Sequence, residues 1–463
     1  MDTTLARLPP ARRLSLAALS CVIFFTVCGG AFGIEALVGS VGAGWAVALI
    51  LLTPLFWSLP TALMVAELAS LMPEEGGYYV WVRDSLGRFW AVQEGWWTLG
   101  YSFVLIAIFP VQFVNYLAYY LPFLAQGEGG SRAWQVTLVR WLLAVLVIVS
   151  SAAVNWRGAK AVGGYAELSV VLVLGAFAWL VLVGLTREGA IRTAFEAIVR
   201  DSGHNRSGAL LMGLSVVIFN YSGWDNVSTF AGEVDAAARN YPRALAMALL
   251  ATVLAYLLPV LAGLGVTTDA AVWSAEAGWP VIARMIGGHW MGGILAAAGL
   301  VSMWSLFNSQ LLYISRLPYV LARDGWLPSG MAKVSGDTGV PTVALGWSCA
   351  ITAVFAAVSF GDLVILYVLL YTLALELQYL ALIVLRVRRP DASRAFRVPG
   401  GWPGVGYVCL APIGVAAAVL LASLQDEQSD APQFLGVGAI LLSGMVLYLA
   451  RRTRTRNGDV SVL

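Results

Sequence analysis

The sequence predicts an all-α membrane protein of about twelve transmembrane helices, and three observations carry that prediction. Only 12% of its 463 residues are charged and 59% are hydrophobic, where a soluble domain carries about 25% charge. Mean hydropathy is +0.79, so too little polar material is present to cover a water-facing surface. Finally, the basic residues fall on alternate loops, as expected when every second loop faces the cytoplasm.

The chain opens with a short basic tail, 1–13, followed by an apolar stretch too long for a signal-peptide core; it reads as a retained first helix over 14–39. A second helix is predicted over 43–71 and a third over 89–121. The fourth and fifth, 136–154 and 161–185, contain runs of about 17 residues with almost no charge, enough to approach a hydrocarbon core about 30 Å thick. A polar loop from Thr186 to Ser207 leads to helices over 208–231, 241–266, 291–322, 341–358 and 362–387. Two more follow over 403–423 and 433–451, before a tail at 452–463. An even number of spans puts both termini on one side. On that side lie 21 of the 28 basic residues, which predicts cytoplasmic termini and a cell-membrane location.

Two of these helices are interrupted alike. Val27-Cys28-Gly29-Gly30-Ala31-Phe32-Gly33-Ile34-Glu35 lies within the first, where each glycine costs a continuous helix about 1 kcal/mol. Phe219-Asn220-Tyr221-Ser222-Gly223-Trp224-Asp225 lies within the sixth. Matching breaks at positions one and six predict two inverted repeats of five helices, 14–185 and 208–387, with a binding site at the membrane midplane. Close helix packing alone would also use glycines, but it does not explain an acidic residue at the end of each break.

Other chemistries are poorly represented. The cysteines Cys21, Cys28, Cys349 and Cys409 lie in apolar stretches without metal spacing, and His204 and His289 are the only histidines. No GxxxxGK[ST] loop, HExxH or GxSxG motif is present, so neither direct use of ATP nor enzymatic catalysis is expected. No metal, cofactor or nucleic-acid partner is expected either, and no oligomeric state is legible.

Several strings resemble the amino acid-polyamine-organocation superfamily over nearly the whole chain. They are the Gly-rich break of helix 1, Ala66-Glu67-Leu68 with Pro73-Glu74-Glu75-Gly76-Gly77-Tyr78-Tyr79, Asn155-Trp156-Arg157-Gly158, and Arg323-Asp324-Gly325-Trp326-Leu327-Pro328. Gly29 to Glu35, Asn220 to Thr229, Gly232-Glu233-Val234 and Tyr241-Pro242-Arg243-Ala244-Leu245 are most similar to the polyamine uptake branch. The resemblance implies a LeuT-like five-plus-five inverted repeat with two extra helices, working as a secondary transporter.

Carboxylates inside a membrane cost about 2.5 to 3.5 kcal/mol on insertion scales, so they are candidates for function. Glu35, Asp225 and Glu376 qualify, with no Lys or Arg at similar depth. A transported amine would neutralise them, and Phe32, Trp97, Tyr101, Phe219, Tyr221, Trp224, Trp304, Tyr367 and Tyr371 could supply cation–π walls or serve only as packing. With the backbone of Gly29, Gly30, Ala31 and Gly33, and with Asn220 and Ser222, these make up the candidate substrate site. Glu35, Asp225 and Glu376 are also the candidates for proton coupling. The bland alternative is that Glu35 and Asp225 cap half-helices. Glu67, Glu94 and Glu167 read as structural or gating groups, and Glu74 with Glu75 as a solvated turn.

Sodium-coupled relatives place adjacent hydroxyls on helix 8, whereas Val301-Ser302-Met303-Trp304-Ser305-Leu306 has no such pair. The helix 5 lysine of some proton-coupled relatives is replaced by Leu174 or a neighbour. The resulting expectation is polyamine import by proton symport, with uniport open. An amino acid transporter or exchanger is the alternative, and a non-transporting receptor a more distant one.

Overall fold

The computed structural model describes residues 13–125, 133–201, 207–274, 278–357, 363–425 and 431–458. The tails 1–12 and 459–463, with Arg132, His204 and Arg206, lie outside the described residues. Secondary structure among the described residues is helical apart from two isolated bridges, Leu14 with Val234 and Glu75 with Phe230.

The helices are α1 (Leu16–Val27), α2 (Glu35–Thr53), α3 (Leu59–Leu71), α4 (Gly77–Leu86), α5 (Arg88–Leu117), α6 (Ala133–Trp156), α7 (Ala159–Leu185) and α8 (Ala190–Asp201). They continue as α9 (Ser207–Asn220), α10 (Ala237–Leu264), α11 (Ala270–Trp273), α12 (Gly278–Arg323), α13 (Thr342–Phe355), α14 (Leu363–Arg388), α15 (Gly401–Gln425) and α16 (Ala431–Gly458). Among the described residues, eight stretches are long and apolar enough to cross a membrane, and Leu16–Val27, Thr342–Phe355 and Val437–Arg451 are shorter apolar helices.

Most helix boundaries lie near the predicted ones, and the differences have local causes. The stretch expected as one helix over 14–39 is two, because Gly29, Gly30 and Gly33 adopt φ of 70°, 98° and 95°, outside the helical region. Gly42, at φ 80°, kinks α2 where the second span was expected to begin. A π-helical turn, Pro54–Ser58, joins α2 to α3 next to Pro54 and Pro60, whose missing N–H groups interrupt the regular ladder. The sixth expected helix, 208–231, is corrected: it stops at Asn220, and after the break the chain forms only 3-10 turns, Asn226–Thr229 and Ala231–Glu233. Helices α4, α8 and α11 were not expected; they are short and lie in connections that hydropathy reads as loops.

Packing is arranged for lipid. Val171, Leu250 and Leu410 are each more than 60% exposed, while Glu67, Gln93, Glu94, Asp225 and Gln378 are fully buried. Apolar side chains outside and polar ones inside form the pattern that a hydrocarbon solvent favours. α5 and α12 pack along each other at the centre, with α1, α7 and α10 around them.

The basic side of the molecule is tied by ion pairs. Glu67, fully buried in α3, accepts from Arg386 Nε at 2.8 Å and from the Val398 N–H at 2.7 Å, with Arg394 Nε 3.4 Å away. Glu75 is not the solvated turn expected: it is half-buried, pairs its backbone with Phe230 and packs on Gly232. The neighbouring glycines explain that docking. Gly76 N–H donates to Thr229 O at 2.8 Å, and a Cβ on Gly77, whose φ is +36°, would lie 2.1 Å from Ser228 Oγ. Gly77→Ala is therefore expected to destabilise by at least about 2 kcal/mol, seen as a lower unfolding temperature in detergent. An unchanged temperature would mean that α4 does not press on this turn.

Candidate functional site

Each broken helix leaves backbone groups that membrane structure must satisfy internally. At the first break, Gly29 O accepts from Ser302 Oγ of α12, and Ala31 O accepts from Trp279 Nε1 at 2.7 Å. Gly33 N–H donates to Glu35 Oε2 at 2.6 Å. At the second, Tyr256 OH donates to Asn220 O at 2.7 Å, Trp224 Nε1 to Tyr221 O at 2.7 Å, and Tyr241 OH to Val227 O at 2.6 Å. Gly223, at φ 103°, donates its N–H to Tyr371 OH at 2.9 Å.

The two breaks face one another. A Cβ on Gly33 would lie 3.0 Å from Asn220 Oδ1, and one on Gly223 would lie 3.2 Å from Thr26 O. Between them and α5 is a cavity of about 110 Å³, lined by Phe32, Gly33, Glu35, Phe219, Asn220 and Ser222 among others. These six were expected in the site from the sequence. Thr26, Gln112, Tyr116 and Gln310 also line the cavity and were missed. Tyr116 stacks edge-on against Phe32 at 5.1 Å. Gln112 and Tyr116 are four apart on one face of α5, a spacing that could have flagged them.

Asp225 does not line this cavity. It is fully buried, while its chain neighbours Gly223 and Asn226 line the cavity. Its Oδ1 accepts from Tyr371 OH at 2.8 Å and its Oδ2 from Gln378 Nε2 at 2.8 Å. The same Gln378 nitrogen donates to Glu94 Oε1 at 2.8 Å. Tyr101 packs edge-on against Tyr371 at 5.7 Å. Glu94, read from the sequence as a structural or gating group, is fully buried in the first two turns of α5 and shares the Gln378 amide with Asp225.

Other expected site residues are turned elsewhere. Gly29 and Gly30 face α12 and α7, where a Cβ would meet Leu306 and Val173, and Ala31 contributes its carbonyl to Trp279. Tyr221 OH donates to Ile50 O at 3.0 Å and its ring packs on Tyr256, away from the cavity. Trp224 and Trp97 are buried but do not line the cavity. Trp304 donates to Ser150 Oγ at 3.0 Å and packs on Tyr165, between α12 and the α6–α7 side. The side chain of Tyr367 lies outside the described residues. Glu376 is half-buried near Cys409 and Tyr379 and is not brought to Asp225. The reason is angular: at about 100° per residue, Tyr371 and Gln378 share a face of α14, whereas position 376 lies roughly opposite Gln378.

Among the described residues no group of three or more His, Cys, Asp or Glu side chains could hold a metal ion. Ser302 bonds Gly29 O and Ser305 bonds Ser169 Oγ at 2.6 Å, so both hydroxyls of this stretch of α12 already have protein partners.

Comparison with known proteins bears on the whole chain. Residues 14–444 match the family model of amino acid permeases. The polyamine transporter PUT1 of Oryza sativa subsp. japonica is 36% identical over 416 residues, covering 89% of this chain and 74% of that protein. The polyamine transporter RMV1 of Arabidopsis thaliana is 32% identical over 416 residues, covering 88% of this chain and 80% of that protein. More distantly, the branched-chain amino acid permease BcaP of Bacillus subtilis (strain 168) is 25% identical over 377 residues, 78% of each chain. The family-model match extends across both helix breaks and nearly all the apolar helices, and the chain belongs to the amino acid permease family, multi-pass membrane transporters of the amino acid-polyamine-organocation superfamily rather than enzymes.

Proposed function

We propose that this transporter imports polyamines across the cell membrane by proton symport, with both termini cytoplasmic. The observation that carries the reading is the pair Glu35 and Asp225, 4% and 0% exposed at the ends of two facing helix breaks, with no ion pair to either among the described residues. Buried carboxylates without a counter-charge take up either a proton or a cation, and exchange of one for the other is the elementary step of symport. The names of the plant relatives point to the same cations.

The architecture proposed with it is twelve spans in two inverted repeats, 14–185 and 208–387, followed by 403–451. Alternating access then moves one set of helices against the other around the breaks. The cavity, at about 110 Å³, is narrower than the roughly 300–1,000 Å³ of common ligand pockets and suits an unbranched aliphatic amine. Its Phe32, Phe219 and Tyr116 walls fit methylenes and ammonium groups. Membrane potential assists by about 2.3 kcal/mol per charge per 100 mV.

The amino acid reading is weaker at one identifiable atom. A helix break that binds an amino acid offers bare amides to its carboxylate, and here the Gly33 N–H already holds Glu35 Oε2. The test is thermal stabilisation of the purified protein by putrescine, spermidine, arginine, leucine and a neutral monoamide, followed by uptake into proteoliposomes. Polyamines at 100 times Kd are expected to stabilise by about 2.7 kcal/mol, and uptake should rise with an inward proton gradient. Stabilisation by leucine or arginine alone would overturn polyamine import in favour of amino acid transport. Uptake indifferent to the gradient would remove proton coupling.

A further inference from the structure

A second buried carboxylate lies beside Asp225, and proton-for-amine exchange at the two helix breaks does not require it. Glu94 is fully buried, Asp225 is fully buried, and both accept from the single amide nitrogen of Gln378. Gln378 thereby uses both of its N–H donors, one on each acid. Nothing cationic among the described residues forms an ion pair with either carboxylate. Beside the pair, two buried acceptors lack a hydrogen-bond partner among the described residues: Glu94 Oε2 and Gln378 Oε1. Each such atom costs about 1–3 kcal/mol when left unsatisfied.

Two acids bridged by an amide, with acceptors in excess, match a ligand that carries several donors, no acceptor and a positive charge. A primary ammonium has three donors, no acceptor and one charge. The position is also apt. Gly223 and Asn226 line the cavity that holds Glu35, and Asp225 lies between them in sequence. Tyr371 links a lining residue and the cluster, accepting from Gly223 N–H and donating to Asp225.

Resting on the polyamine reading, we infer that Glu94, Asp225 and Gln378 form a second anionic subsite that takes the far ammonium of a diamine or longer amine whose other end sits at Glu35. The site then distinguishes substrates by their number of charges: a monoamine fills the Glu35 end only, and a diamine engages both carboxylate groups.

The experiment compares 1,4-diaminobutane with butylamine, equal in carbon count, by equilibrium binding to the purified full-length protein. Wild type is expected to bind the diamine at least about tenfold more tightly, and Glu94→Gln should bring that ratio down by at least about tenfold. Gln378→Lys supplies a variant with its own ammonium between the two acids, which neutralises one of their two negative charges and should likewise collapse the ratio. Amine binding with the diamine preference intact in both variants would sink this subsite alone and leave the Glu35 reading standing. The subsite fails equally if Glu94→Gln changes only the dependence of uptake on the proton gradient, since the pair then holds a proton. A wild-type protein that binds leucine and neither amine would overturn the import reading itself, and this subsite with it.

Discussion

Asp225→Asn is expected to reduce amine uptake by at least about a hundredfold while the protein still folds, because it removes one negative charge and almost nothing else. Asparagine has the same shape, and its Oδ1 still accepts from Tyr371 OH, which lies 2.8 Å from the Asp225 Oδ1 it replaces. The conflict it creates, an amide nitrogen facing Gln378 Nε2, is relieved if the Gln378 amide turns to present its Oε1, which withdraws Nε2 from Glu94 Oε1 and costs that one hydrogen bond. The cost to stability should therefore stay within the about 1–3 kcal/mol of one buried group left unsatisfied, while a buried ammonium would lose its counter-charge, a loss worth several kcal/mol in such a site. Proteoliposome uptake, with unfolding temperature as the control for folding, measures this. Normal uptake by Asp225→Asn would take Asp225 out of the substrate path.

The second large effect is expected at Arg316. In α12 it is 1% exposed and donates from Nε to Glu233 Oε1 at 2.7 Å and from Nη2 to Glu233 Oε2 at 3.1 Å, a two-pronged bond. Glu233 sits just after the second helix break, and its backbone O accepts from Leu14 N–H at 2.9 Å, at the foot of α1. The pair thus joins α12, the segment following one break and the segment preceding the other, on the basic side of the molecule. Arg316→Met would leave the Glu233 carboxylate buried and unpaired, and is expected to destabilise by about 3–5 kcal/mol. Adding Glu233→Gln should recover most of that loss, since the stranded charge, rather than the missing bridge, is what costs. Thermal unfolding of the two single variants and the double variant separates these contributions. If Arg316→Met unfolds at the wild-type temperature, the pair is no structural clamp.

Much of this protein is legible along the chain, because hydropathy, glycine content and charge are local properties. The apolar stretches mark the helices, Gly29 to Gly33 and Gly223 mark the backbone breaks, and Glu35 and Asp225 stand out as acids that a hydrocarbon environment penalises. Glycine needs no neighbours to show itself, since its freedom at φ of 70° to 103° is a property of the residue. Sequence is least informative where a side chain's partner decides its role. Trp304, Tyr221 and Trp224 are aromatic residues expected in the site, and each packs away from the cavity.

Which faces meet is a matter of tertiary packing. Glu376 is an acid in an apolar helix, the feature that sequence selects, yet Tyr371 and Gln378 are the residues of α14 that reach Asp225, 146 and 153 positions earlier. Glu94 meets the same amide 284 positions before it. A helix turned by about 100° would exchange these roles without altering its hydropathy, because transfer to lipid depends on composition, whereas a hydrogen bond depends on direction and a separation near 3 Å. Composition and pattern along the chain dictate that acids lie at two broken helices; the packing of α5 and α14 around the second break dictates that the acid there is paired with another.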